Sequence, residues 1–176
     1  MTHVSIVTVV LNDLPGLLQT AKSLASQTNT DVEWIVIDGA STGAHRIEKH
    51  SLTPSPTTFV SEPDAGIYDA MNKGWKNASG EWVLFLNAGD TLCQGRTLED
   101  VVPQLEASPA SWAFGMVRML TAAETSSESK TPAPSTAWGT RWATPPFLTK
   151  RHSCARTFLK DLADSIRTSG QQQIKS

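Results

Sequence analysis

The chain has 176 residues, of which 39% are hydrophobic and 18% charged, and its formal net charge is −2. That length supports one domain with a buried core, and the composition excludes collagen-like or wholly disordered chains. Charge is uneven: residues 1–100 carry 12 acidic and 6 basic side chains, whereas residues 101–176 carry 5 acidic and 9 basic.

Val4-Ser5-Ile6-Val7-Thr8-Val9-Val10 is a nearly continuous β-branched run, the pattern of a strand buried on both faces. Asn12 and Asp13 end it and can cap a helix, and Pro15 suits a first helical turn. Leu14, Leu17, Leu18, Ala21, Leu24 and Ala25 then recur at helical spacing. A second buried strand, Val32 to Ile37, runs into Asp38-Gly39-Ala40-Ser41, so a parallel β-α-β unit is expected. Residues 43–52 give a weak signal. A third strand is expected over Thr57–Ser61, a helix from Ile67 to Ala78, and a fourth strand over Glu81–Leu86 that leads into Asn87-Ala88-Gly89-Asp90. On the helix, Ile67, Ala70, Met71, Gly74, Trp75 and Ala78 share one side. A short helix over Leu98–Leu105 completes a β-α-β-α-β-α order, which predicts an α/β fold with a mostly parallel sheet flanked by helices.

Beyond Leu120 the composition changes. Residues 121–137 hold no Val, Ile, Leu, Phe, Tyr, Trp or Met and predict a loop or linker rich in Ser, Thr, Pro and Ala. Residues 138–176 carry 7 basic and 2 acidic side chains and are read as an irregular tail that forms no normal core element. The domain reading is therefore 1–120, 121–137 and 138–176. A basic tail of this kind suits an anionic surface or a solvated end.

No apolar run approaches the ~20 residues of a spanning helix, and the start lacks the basic-then-apolar order of a signal peptide. Cys93 and Cys154 supply neither a disulfide framework nor paired zinc spacing, so a reducing, cytoplasmic setting is the default. Nucleic acid is not an expected partner: zinc-finger spacing, ribonucleoprotein motifs and dense basic helices are missing from the sequence.

Ligands of open α/β sheets bind beyond the carboxyl ends of the strands. The four exits offer Leu11, Asn12 and Asp13; Asp38 to Ser41; Glu62 to Gly66; and Asn87, Gly89 and Asp90. Such recurring carboxylates call for a cation or hydrogen-bond donors, and oxygen ligands favour Mg²⁺ or Mn²⁺. A hard cation in turn suits a diphosphate. Leu11 to Gly16 lacks G-x-G-x-x-G, and no P-loop occurs anywhere. His3, His45, His50 and His152 show no metal-ligand spacing. For Asp38 the competing assignment is a turn or helix-cap aspartate, for Asp90 a cap of the next helix, and for Asp69 a solvated helix residue. Tyr68 suits packing or stacking on a ligand equally. Trp34, Trp75 and Trp82 are expected in the core, while Trp138 and Trp142 lie in the irregular region.

Four segments together resemble the family 2 glycosyltransferases, nearest the bacterial branch that builds colanic acid, O-antigen and related surface polysaccharides of the cell envelope. They are residues 4–9, 33–41, 61–74 (Ser-Glu-Pro-Asp-Ala-Gly-Ile-Tyr-Asp-Ala-Met-Asn-Lys-Gly) and 80–90 (Gly-Glu-Trp-Val-Leu-Phe-Leu-Asn-Ala-Gly-Asp). The likeness covers roughly residues 3–120. It implies the GT-A fold and metal-assisted, inverting transfer from a nucleoside-diphosphate sugar, typically UDP-linked, to a glycan or polyprenyl-linked acceptor. It also implies work at the cytoplasmic membrane face, with peripheral contact. By the same resemblance Asp38 accepts a hydrogen bond from the base, and Val10 and Asn12 frame base and ribose. Asp64 and Gly66 lie beside the nucleotide, and Asp90 binds Mn²⁺ or Mg²⁺. Asn87 and Gly89 stand where many relatives have further carboxylates.

An inverting transfer also needs a general base, in the family a carboxylate downstream, usually in an acidic pair. Glu124, Glu128, Asp161 and Asp164 form no such pair, so the catalytic base stays unassigned and the C-terminal part is read as shortened or divergent. Two other readings remain: a nucleotide-sugar-binding protein without catalysis, and a nucleotidyltransferase. The second needs a Gly-rich basic loop after the first strand, which Leu11–Gly16 does not supply.

Overall fold

The structure is a computed structural model and describes residues 4–115 and 147–150. The chain order is β1 (Val4–Val10), α1 (Leu14–Ala25), β2 (Val32–Asp38), β3 (Thr58–Ser61), α2 (Ile67–Asn77), β4 (Trp82–Phe85), α3 (Thr97–Ala107), β5 (Trp112–Phe114) and β6 (Phe147–Lys150). The sheet runs β3-β2-β1-β4-β6-β5. β1 pairs in parallel with β2 and β4, and β2 with β3, so all four exits open on one edge. This is the mostly parallel, helix-flanked, GT-A-like sheet that the sequence predicts.

β1 is central, and all seven of its residues are buried. One core cluster includes Ile6, Leu17, Trp34, Val36 and Trp82; the other includes Val7, Ile35, Ile37, Met71 and Phe85. Trp34 and Trp82 are core residues as expected, and Trp34 Nε1 donates to Thr8 Oγ1 at 3.0 Å. Trp75 packs, partly buried, against the second cluster, and so does Tyr68. At the amino ends of the strands, buried Glu33 accepts hydrogen bonds from Ser5 Oγ, Ser79 N and Ser79 Oγ. That satisfies polar groups which burial would otherwise make costly.

The helices differ in detail from their predicted faces. Gly16, Leu17, Thr20, Ala21 and Leu24 form the buried stripe of α1, while Leu18 is 44% exposed and Ala25 lies outside the stripe. On α2 the buried residues are Ala70, Met71 and Gly74, and Ile67 is 46% exposed. Residues 43–52 form two short 3-10 turns, Gly43–His45 and Lys49–Ser51.

The larger correction concerns the tail. Phe147–Lys150 is a strand, pairing antiparallel with β4 on one side and with β5 on the other. Part of the region beyond residue 137 is thus an interior strand of the sheet. The Ser/Thr/Pro/Ala-rich segment 121–137, Trp138, Trp142, Cys154 and the four downstream carboxylates lie outside the described residues. Among the described residues no helix is long and apolar enough to cross a membrane.

Candidate functional site

The parallel strands deliver their exit loops side by side, and hydrogen bonds tie neighbouring loops together. Gly39 N donates to Val10 O (2.9 Å), Glu62 N to Asp38 O (3.0 Å), and Ala88 N to Val9 O (3.1 Å). The β1 and β2 exits are clamped twice more. Asn12 N donates to Ser41 Oγ at 2.7 Å, and Thr42 N donates to Asn12 Oδ1 at 3.0 Å. Asn12 and Ala40 both have positive φ, 52° and 65°. Backbone held in this sparsely populated region depends on the bonds around it.

Asp38 ends β2 and is only 1% exposed. Its Oδ1 accepts from Ser41 N at 3.0 Å and its Oδ2 from Ser61 Oγ at 2.6 Å. The first bond is a turn contact, so that part of the competing assignment holds. Val10 is buried, 6% exposed, and meets the β2 loop through its carbonyl. The next residue, Leu11, is an apolar side chain standing in the open, 58% exposed. Gly39 makes room between the loops: a Cβ there would lie 2.7 Å from Asp64 Oδ2 and 3.2 Å from Leu11 Cδ1. Leu11, Gly39 and Asp64 therefore meet at one place.

Asp64 Oδ1 accepts from Gly66 N at 2.8 Å, forming a local turn before α2. Gly66 caps that helix with φ 119° and ψ 174°, a conformation that essentially requires glycine. Asp69 Oδ2 accepts from Ala65 N at 3.1 Å. Lys73 reaches back to Glu62 (2.9 Å) and donates to Pro63 O (2.8 Å), steadying the loop after β3. The hydrogen bond to Glu62 raises the Lys73 ammonium above its ordinary pKa, against the lowering effect of burial.

Asp90 lies at the β4 exit, across β1 from Asp38. The α3 helix begins at Thr97 with Arg96 at its N-cap, so Asp90 is not its cap. Burial pushes the Asp90 carboxyl above its ordinary pKa, and a backbone hydrogen bond at Asn87 pulls the other way. Asn87 Oδ1 is buried without a hydrogen-bond partner. An under-satisfied amide oxygen and a carboxylate disfavouring ionisation in one short loop are both relieved by a hard cation. Among the described residues no group of three or more His, Cys, Asp or Glu side chains is placed to hold a metal. One carboxylate is nevertheless sufficient where substrate phosphates and water complete the shell, as Mg²⁺ commonly binds. The donor set therefore fits such an ion.

Sequence reasoning missed Thr20. This fully buried α1 hydroxyl lies 2.8 Å from Asp90 O and 3.2 Å from both Asn87 O and Gly16 O, and it accepts from Gly89 N at 3.1 Å. It pins the Asn87–Asp90 loop to α1. Gln27 extends the staple, donating to Gln94 O (2.7 Å) and accepting from Leu98 N (3.1 Å). The signal was a polar residue within the Leu17-Ala21-Leu24 stripe. Thr20→Val keeps the shape but strands Gly89 N–H and Asp90 C=O, so a loss of ~1–3 kcal/mol is expected. Urea unfolding measures it, and Thr20→Ser should recover most of the loss. Asp13, by contrast, caps α1 as expected, its Oδ1 accepting from Gly16 N at 2.9 Å.

The profile described as Glycosyl transferase family 2 matches residues 5–158, reaching beyond the predicted limit near residue 120 and including β6. An uncharacterised glycosyltransferase of Mycobacterium tuberculosis (strain CDC 1551 / Oshkosh) is 38% identical over 121 residues, covering 66% of this chain and 46% of the relative. A PGL/p-HBAD biosynthesis glycosyltransferase of Mycobacterium bovis (strain BCG / Pasteur 1173P2) is 34% identical over 119 residues, 65% of this chain and 46% of the relative. The chain thus spans about half the length of these relatives. Among solved structures, S. aureus TarS 1-349 in complex with UDP superposes with a TM-score of 0.63 at 18% identity, over 86% of this chain and 47% of that one. Mannosyltransferase PcManGT from Pyrobaculum calidifontis, in complex with GDP-Man and Mn²⁺, gives 0.55 at 23% identity, over 65% and 35%. Those two likenesses concern the fold; the family match covers most of the sequence, and the chain belongs to the family 2 glycosyltransferases.

Proposed function

We propose that the protein transfers a sugar from a nucleoside-diphosphate sugar to a glycan or polyprenyl-linked acceptor, with inversion and with Mn²⁺ or Mg²⁺. The observation that carries this reading is the shared edge where the exits of β1, β2, β3 and β4 are laced together and Asp90 sits in a pinned loop beside the unpartnered Asn87 Oδ1. The nucleoside lies across the β1 and β2 exits, near Asp38, Leu11 and Asp64, with Asn12 and Val10 framing it through the backbone clamp. Gly66 lets the β3 loop turn beside it. The diphosphate points toward Asp90 and Asn87, which would hold the cation.

When bound, the cation offsets charge that develops on the departing diphosphate. The chain's own contribution is a site already ordered: Asn12, Ser41, Thr42 and Thr20 fix the loops, so little order remains to be imposed on binding. The named ligands of related structures, UDP-GlcNAc with TarS and GDP-Man with Mn²⁺ in PcManGT, are consistent with this chemistry. Residues 1–120 together with β6 as the donor-binding unit, and the rest of 138–176 as an acceptor-side tail in peripheral contact with the cytoplasmic face of a membrane, complete the proposal.

Calorimetry with UDP, GDP and their sugars, in Mn²⁺, Mg²⁺ or EDTA, tests it. Binding that depends on the metal is expected, followed by release of nucleoside diphosphate when an acceptor is supplied. A folded protein that binds none of these would refute the transferase reading. Binding without any transfer would leave a sugar-nucleotide-binding protein instead.

A further inference from the structure

The cap of α1 uses only half of the Asp13 carboxylate. Gly16 N donates to Oδ1 at 2.9 Å, and Oδ2 has no hydrogen-bond partner among the described residues. Capping by itself sets no such condition on the residue three places on, where helices often carry Glu or Gln. Here that residue is the buried Gly16, and a Cβ on it would collide with the Asp13 carboxylate. On the other side stands Gly89. A Cβ there would lie 4.0 Å from Asp13 Oδ2, and apart from its chain neighbours nothing else among the described residues comes as close. Thr20 Oγ1 ties the two glycines together, lying 3.2 Å from Gly16 O and accepting from Gly89 N at 3.1 Å. Asp13 is exposed, so Oδ2 is held in the open beside the residue that precedes Asp90. We infer that Asp13 is the second carboxylate of the cation site: Oδ1 serves the helix, and Oδ2 faces the ion that Asp90 and Asn87 would hold. This rests on the donor-site reading proposed above and adds to it a charge that the 87–90 loop does not supply.

Mg²⁺ is commonly held by one or two carboxylates together with substrate phosphates, and two fit this edge without a third. The second charge acts in both directions. With the ion present it strengthens the hold on the cation. Without the ion it faces the incoming diphosphate with a like charge, which disfavours binding. Asp13 therefore makes nucleotide binding more strictly dependent on metal than Asp90 alone would.

The test removes the charge and keeps the cap. Asn and Ser cap helices about as well as Asp, so Asp13→Asn and Asp13→Ser each leave an oxygen for Gly16 N. Thermal unfolding followed by circular dichroism should place both variants close to the parent, and whichever of them folds decides the question. Calorimetry then measures the affinity for UDP and GDP in Mn²⁺ and in EDTA, and the Mn²⁺ concentration that half-saturates binding of the tighter nucleotide. Loss of the charge should raise that concentration by about fivefold or more, while affinity in EDTA holds or rises. A purely structural aspartate gives another pattern: the melting point falls, or affinity drops equally with and without metal, and the Mn²⁺ requirement stays the same. That result overturns the inference. The two possible failures are distinct. Metal-dependent binding by the intact chain that both variants leave untouched removes Asp13 alone. An intact chain that binds neither nucleotide, or binds them without regard to metal, defeats the donor-site reading, and this inference fails with it.

Discussion

Asp90→Asn should abolish metal-dependent binding of nucleoside diphosphate while leaving the fold at least as stable as the parent at neutral pH. Burial holds the Asp90 carboxyl above its ordinary pKa, so the folded state keeps its proton to higher pH than the unfolded chain does. Between the ordinary and the raised value the folded state binds more protons, and stability contributed by this group falls as pH rises. Asparagine carries no charge and escapes that penalty. Metal binding has the opposite slope, because the ligand must lose its proton first, so affinity for Mn²⁺ with UDP should rise with pH through the raised value. Thermal unfolding and calorimetry over a pH series check both halves. A variant that melts far below the parent would refute the stability half, and one that still binds UDP only in the presence of metal would remove Asp90 from the cation site.

Gly74→Ala should be unusually damaging for the addition of a single methyl group. A Cβ at Gly74 would sit 2.2 Å from Val7 Cγ1 and 3.2 Å from Cγ2. Val7 is fully buried in the central strand, paired with Ile35 and Phe85, and has nowhere to retreat. Overpacking of a rigid core costs ~1–3 kcal/mol, and the better helix propensity of alanine returns ~1 kcal/mol at most. A net loss of ~2 kcal/mol is expected, equivalent to a fall in Tm of roughly 4–8 °C for a chain of this size. Val7→Ala removes the offending methyls, so the double variant should lose less than the two single losses combined. Simple additivity would show that α2 shifts as a body instead.

How much of the fold is legible in the sequence depends on how local each signal is. β1, β2 and β4 are β-branched or apolar runs buried on both faces, so each announces itself within a few residues. α1 and α2 show helical spacing, and Asp13 marks the start of α1 by a cap that acts over three positions. β5 and β6 have three and four residues, and their pairing with each other spans more than 30 positions of chain, so no local pattern reveals them. The acidic exits are visible as carboxylates, but their partners are not. Ser61 reaches Asp38 across 23 positions and Thr20 reaches Asp90 across 70, contacts made only once the sheet has formed. Periodicity puts Leu18 and Ile67 on buried faces because it gives a direction and not the extent of the covering layer.

The order of the sheet also governs when the protein becomes safe from its neighbours. β4 has β1 on one flank, but its other flank is covered by Phe147–Lys150. During synthesis the strand Trp82–Phe85 therefore emerges with one row of amide and carbonyl groups bare until more than 60 further residues have left the ribosome. An open strand edge is a template for pairing with other chains, and long-range closure is slow. A protein cut after residue 115 would hold that state permanently. It would keep the laced exits and most of the core, yet would present an apolar, unpartnered strand to every other copy in solution.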